Sequence, residues 1–119
     1  MAAAFLRRHG YRVLTRNFKV GRSEIDLVCR LGDILVFVEV KTRGDVEWIR
    51  PADTIRAEQE AALHFAAQKY LELLERRKVE WRFDVVEVHL EPDKIPVCTL
   101  IPDYFGAGEM SERSSRFTN

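Results

Sequence analysis

Long apolar runs are missing from this 119-residue sequence. None approaches the roughly 18 to 20 residues that a helix needs to cross a bilayer, so no membrane partner is expected. The opening stretch MAAAFLRRHG also lacks the basic-then-apolar order of a secretory signal. Cysteine is scarce. Cys29 and Cys98 both sit in apolar, strand-like runs and share no metal-type spacing. They read as buried free thiols in a reducing compartment, which makes a cytoplasmic protein the expectation. His9, His64 and His89 have no mutual metal spacing either. Net charge is absent, with 19 basic residues against 19 acidic ones, which argues against a protein that coats nucleic acid through bulk positive charge. No repeat or low-complexity segment interrupts residues 1–104.

What is present is unevenly placed. Residues 1–23 carry Arg7, Arg8, Arg12, Arg16, Lys19 and Arg22 and no acid at all. Such asymmetry marks a phosphate-contacting surface or a solvated basic face, and charge alone does not separate the two. A hydrophobic fraction of 46% with 32% charged residues gives one domain with a real core, placed at residues 1–104. The remainder, residues 105–119, is small and polar and is expected to be a disordered tail.

Within the domain, alanine-rich Ala2–His9 reads as a helix end stopped at Gly10. Tyr11–Phe18 alternates as a strand, and Lys19–Arg22 is a turn. Two further strands, Glu24–Arg30 and Ile34–Thr42, meet at Gly32-Asp33. Residues 43–53 form a loop broken by Gly44 and Pro51. From an N-cap at Thr54 to about Arg77 runs the clearest helix, with Ile55, Ala62, Phe65, Ala66, Leu73 and Leu74 at helical spacing. Trp81–Leu90 and Pro96–Ile101 complete the series as strands. This order implies an α/β or α+β layer, with helices flanking a central sheet.

The hairpin carries the chemistry. A two-residue turn at Gly32-Asp33 sets Leu31 against Ile34, Cys29 against Val36, Leu27 against Val38 and Ile25 against Val40. With that register Cys29, Leu27, Ile25 and their partners share one apolar face. The other pairs are Arg30 with Leu35, Val28 with Phe37, Asp26 with Glu39 and Glu24 with Lys41. Like charges set across a ladder repel unless something neutralises them. A hard divalent cation does so, and Lys41 stands about 7 Å further along the strand, placed for a bound water or phosphate. The bland alternative is a surface salt-bridge cluster in which Glu24 pairs with Lys41.

Asp26 followed by Glu39-Val40-Lys41 resembles the PD-(D/E)xK signature of the restriction-endonuclease-like nucleases. More narrowly, the chain resembles the YraN-like family, small bacterial proteins related to archaeal Holliday junction resolvases. Gly10-Tyr11, Arg16-Asn17, Glu24-Ile25-Asp26-Leu27, Phe37–Arg43, Ala67-x-x-Tyr70-Leu71 and Arg82–Val86 carry that resemblance. It implies a restriction-endonuclease-like αβββαβ core, a central mixed sheet flanked by helices. It also implies Mg²⁺ or Mn²⁺ held by Asp26, Glu39 and the Val40 carbonyl, with Lys41 as the catalytic cation. The substrate would be nucleic acid, DNA above all and branched DNA among its forms, and a two-fold dimer would suit such a role.

Glu24 and, by alignment, Gln59 would be accessory residues; Gln59 also reads as a plain helix-surface residue. Arg12, Arg16, Lys19, Arg22, Arg43 and Trp48 would meet the nucleic acid, although loop aromatics and arginines also serve packing or solvation. First helices in the family carry a glutamate near the metal, whereas no acid precedes Glu24 here. A module that binds nucleic acid or a partner without cutting is therefore the alternative.

Overall fold

The computed structural model describes residues 1–44, 57–75 and 79–104. In chain order the elements are α1 (Ala2–Arg8), β1 (Arg12–Val20), β2 (Ser23–Leu31), β3 (Ile34–Arg43), α2 (Ala57–Leu74), β4 (Glu80–His89) and β5 (Val97–Ile101). The five strands form one sheet in the order β1-β2-β3-β4-β5. Neighbours run antiparallel except β3 and β4, which are parallel. A parallel pair needs a long crossover, and α2 supplies it. This is the mixed α/β architecture expected from the sequence, consistent with a restriction-endonuclease-like core. No helix among the described residues is long and apolar enough to cross a membrane.

The sheet is apolar on both faces because each is covered. On one side Leu63, Ala66, Ala67, Tyr70 and Leu71 of α2 pack over Val28, Leu35, Phe37, Trp81 and Phe83. On the other, Ala3 and Leu6 of α1 pack over Leu27, Cys29, Val36, Val38 and Val86. Phe37 lies at the centre of the α2 side, with Tyr70, Trp81 and Phe83 rings 5.6–5.9 Å from its own. Strands buried on both faces read as unbroken apolar runs, which is why ILVFV in β3 shows no alternation.

The helix stripe differs from expectation. Phe65, Leu73 and Leu74 are exposed, while Leu63, Ala67, Tyr70 and Leu71 face the core with Ala66. A 3.6-residue period fits either stripe when alanines fill the positions between, and only the sheet decides which one is buried. The proposed N-cap Thr54, Ile55 and the expected helix end near Arg77 lie outside the described residues, as do Trp48 and residues 105–119. β1 is longer than expected, and Val20 pairs with Ser23 around Gly21-Arg22.

A buried polar network ties the ends of the fold together. Asp84 is fully buried; it accepts hydrogen bonds from the Tyr11 hydroxyl at 2.6 Å, Arg82 Nε at 3.0 Å and the Asp103 N–H at 2.9 Å. Arg82, two residues away on the same strand, is the cation that pairs with Asp84. Burial and the Asp84 carboxylate push the Tyr11 hydroxyl up to about 12, so it stays a donor. Cys29 is buried and Cys98 half-buried, both unbridged. Burial holds the Cys29 thiol up at about 11.

Candidate metal centre

The hairpin keeps the expected register from Leu31↔Ile34 to Leu27↔Val38, and there the ladder stops. Asp26 and Glu39, Ile25 and Val40, Glu24 and Lys41 are not ladder pairs. The reason is Asp26 itself: its Oδ2 accepts the Val40 N–H at 2.7 Å, replacing the backbone carbonyl that a continuing ladder would present. The strands part at this point, and Ile25 turns to the α2 side instead of following Leu27 onto the α1 side. On the facing strand Asn17 takes a left-handed φ of 52° between Arg16↔Leu27 and Phe18↔Ile25, where the register is kept; the register shift of that ladder lies between Val13 and Thr15. Asn tolerates that region better than most side chains.

Glu39 points to the α2 side. Its Oε2 accepts from Gln59 Nε2 at 2.6 Å and lies 3.6 Å from Lys41 Nζ. Gln59 reaches it because Ala57–Leu74 begins directly above the parted strands. Burial and the adjacent Asp26 carboxyl, with which Glu39 shares a hydrogen bond, hold its carboxyl well above the ordinary glutamate range. Lys41 and the Gln59 amide draw it back without cancelling that rise. The two carboxyl groups thus meet by side-chain approach where the strands open, rather than by facing each other in the ladder.

Two cavities converge here. One, of about 370 Å³, lies on the α2 side and is lined by Arg22, Glu24, Asp26, Glu39, Val40 and Gln59 among others. The second, of about 440 Å³, lies on the α1 side, where Arg16, Asn17 and Thr42 join Asp26 and Val40. Arg12 and Lys19 are exposed on the edge strand β1 and line neither cavity. Glu24 is paired across strands with Lys19, not with Lys41. Arg43 sits beside Glu87 of β4, with Nε 3.8 Å from Oε2. Of the site residues named from sequence, the structure therefore gathers Asp26, Glu39, Val40, Lys41, Gln59, Glu24, Arg22 and Arg16. It leaves Arg12 and Lys19 on the rim.

The donor set suits a hard cation. Among the described residues no group of three or more His, Cys, Asp or Glu side chains forms a metal cage. Two carboxylates and a backbone carbonyl remain. In a strand the Val40 carbonyl leaves by the same edge as its N–H, hence on the Asp26 side. Mg²⁺ is held in this way, by one or two carboxylates with waters completing the octahedron, whereas structural zinc demands four N or S ligands.

The family model described as "Uncharacterised protein family UPF0102" matches residues 1–88. A UPF0102 protein of Symbiobacterium thermophilum is 42% identical over 106 residues, covering 89% of this chain and 90% of that protein. One from Chloroherpeton thalassium is 39% identical over 94 residues, 79% of this chain and 73% of the relative. Another, from Syntrophomonas wolfei, is 39% identical over 101 residues, 85% and 88% of the two chains. A match through both layers of the sheet, the parted hairpin and α2 leaves one conclusion: the chain belongs to the UPF0102 family.

Proposed function

We propose that the chain is a metal-dependent nuclease that hydrolyses phosphodiester bonds in DNA, branched DNA among its forms. The observation that carries this reading is the meeting of Asp26 and Glu39 at the mouth of a cavity, with Lys41 3.6 Å from Glu39. Asp26, Glu39 and the Val40 carbonyl would hold Mg²⁺ or Mn²⁺. When bound, such an ion supplies Lewis acidity and lowers the pKa of a coordinated water.

The remaining work belongs to the chain. Gln59 donates to Glu39 Oε2 and so fixes which way that carboxylate turns. Asp26 is anchored by the Val40 N–H and shares a hydrogen bond with Glu39, through a proton that a cation would displace. Lys41 donates from Nζ to a phosphate oxygen and offsets the negative charge that grows as water attacks. Arg22 and Arg16, one on each side of the parted strands, meet the flanking backbone of the nucleic acid.

The test is incubation of labelled branched and linear DNA with Mn²⁺. The reading predicts strand cleavage by the wild type, none with Glu39→Ala, and a loss of about 10²–10³-fold with Lys41→Ala. A second reading has its own observation: α1 brings no acidic side chain to the site. A binding module would retain DNA without cutting it, and Glu39→Ala would leave that affinity unchanged.

A further inference from the structure

Glu87 is a buried carboxylate that the proposed reaction does not use. It pairs with Lys41 in the parallel β3–β4 register, and Arg43 pairs with His89. Alternation along the two strands puts Glu39, Lys41, Arg43, Glu87 and His89 on the α2 side together. His89 Nε2 lies 3.1 Å from Glu87 Oε1, which turns the other oxygen toward Arg43. At 3.8 Å that oxygen holds the guanidinium by charge but takes no hydrogen bond from it. Arg43 Nε and Nη2 and Glu87 Oε2 are all buried without a hydrogen-bond partner. The backbone beneath is pinned as well, since the Leu90 N–H donates to the Arg43 carbonyl at 2.8 Å.

Two buried guanidinium nitrogens without partners are costly in a finished structure, although the Arg43 side chain as a whole is 13% exposed. An oxyanion that reached the exposed part of the side chain would meet a fork already held in orientation by the Glu87 charge. Arg43 follows Lys41 by two residues on the same face, about 7 Å further along the strand. That step is comparable to the separation of neighbouring phosphates on one nucleic-acid strand.

We propose that Arg43, held in place by Glu87, is a second anion-binding point beside Lys41, taking the phosphate next to the scissile one. Glu87 is its positioning residue. The inference rests on the nuclease reading above and deepens it by naming how the site grips the strand. Glu87 supplies a fixed charge that keeps the guanidinium aimed while leaving its N–H groups to the phosphate. His89 in turn sets the rotation of the Glu87 carboxylate.

The experiment is fluorescence-anisotropy binding of a labelled DNA oligonucleotide to the full chain without divalent metal, over a range of salt. Melting with and without Mn²⁺ is measured beside it. Arg43→Ala and Glu87→Gln should each weaken DNA binding about tenfold, and Arg43→Ala should lower the salt slope by about one. The double variant should be no weaker than Arg43→Ala alone, because Glu87 acts through Arg43. Arg43→Lys should fall between, keeping the charge without the fork, and provides the reading where Ala loosens the fold. The Mn²⁺-induced rise in melting temperature should be unchanged in all of them. Wild-type affinity in Arg43→Ala, or an additive double variant, would overturn this inference and leave the nuclease reading standing. Absence of DNA binding by the wild type would overturn this inference, whereas absence of cleavage with Mn²⁺ would overturn the nuclease reading.

Discussion

At the scale of single residues, Glu39 is pulled in two directions. Burial and Asp26 favour its neutral form, whereas Lys41 and Gln59 favour the carboxylate that a cation needs. Gln59 therefore does more than orient. Its replacement by alanine should weaken Mn²⁺ binding about 10–100-fold, the usual cost of removing a ligand's supporting hydrogen bond. The loss should be greater at lower pH, where Glu39 without its amide partner holds its proton more firmly. Mn²⁺ titrations of wild type and Gln59→Ala at two pH values check this, and an equal loss at both would contradict it. Asp26 and Glu39 were legible in the sequence because acids are conspicuous in otherwise apolar strands. The hydrogen bond from Val40 to Asp26 was not legible, since alternation assumes a ladder that continues. Arg43 was named from the sequence, but its pairing with Glu87 was hidden for another reason: the two meet only across a parallel pair, 44 positions apart in the chain.

Among the elements, the strands were easier to read than α2. Gly32-Asp33 set the β2–β3 register correctly for five pairs, and it failed where a side chain took over from the backbone. In α2, alanines leave the apolar stripe ambiguous until the sheet selects it. That selection has a measurable consequence. Leu63 is 4% exposed and Leu73 is 71% exposed, so truncating the two should differ sharply. Leu63→Ala should cost about 2–5 kcal/mol in urea unfolding, by lost burial and the cavity left behind. Leu73→Ala should change stability by no more than ~0.5 kcal/mol. Similar costs at the two positions would mean that the other stripe faces the core.

For the whole molecule, element order and resemblance together foretold a mixed sheet with helices flanking it, although no periodicity reveals that β3 and β4 run parallel. The need for a crossover through α2 does. The same architecture links the site to global stability. In the metal-free chain Glu39 keeps its proton above the ordinary value of 4.5, at which the unfolded chain releases it. A raised folded value gives stability that is present at low pH and lost as pH rises through it. Wild type should therefore lose melting temperature relative to Glu39→Gln as pH climbs from 4.5 through neutrality. A gap between the two that does not change with pH would contradict this. The cation should reverse the trend, because its binding displaces the proton.

The measurement that tests the central claim most directly is the melting temperature of wild type and Asp26→Asn with and without Mn²⁺. At a hundredfold excess over Kd the wild type should gain about 2.7 kcal/mol of stability. Asp26→Asn, which retains an oxygen to accept the Val40 N–H but loses the charge, should gain almost none. No shift in the wild type, or the same shift in both, would contradict a metal centre at Asp26 and Glu39.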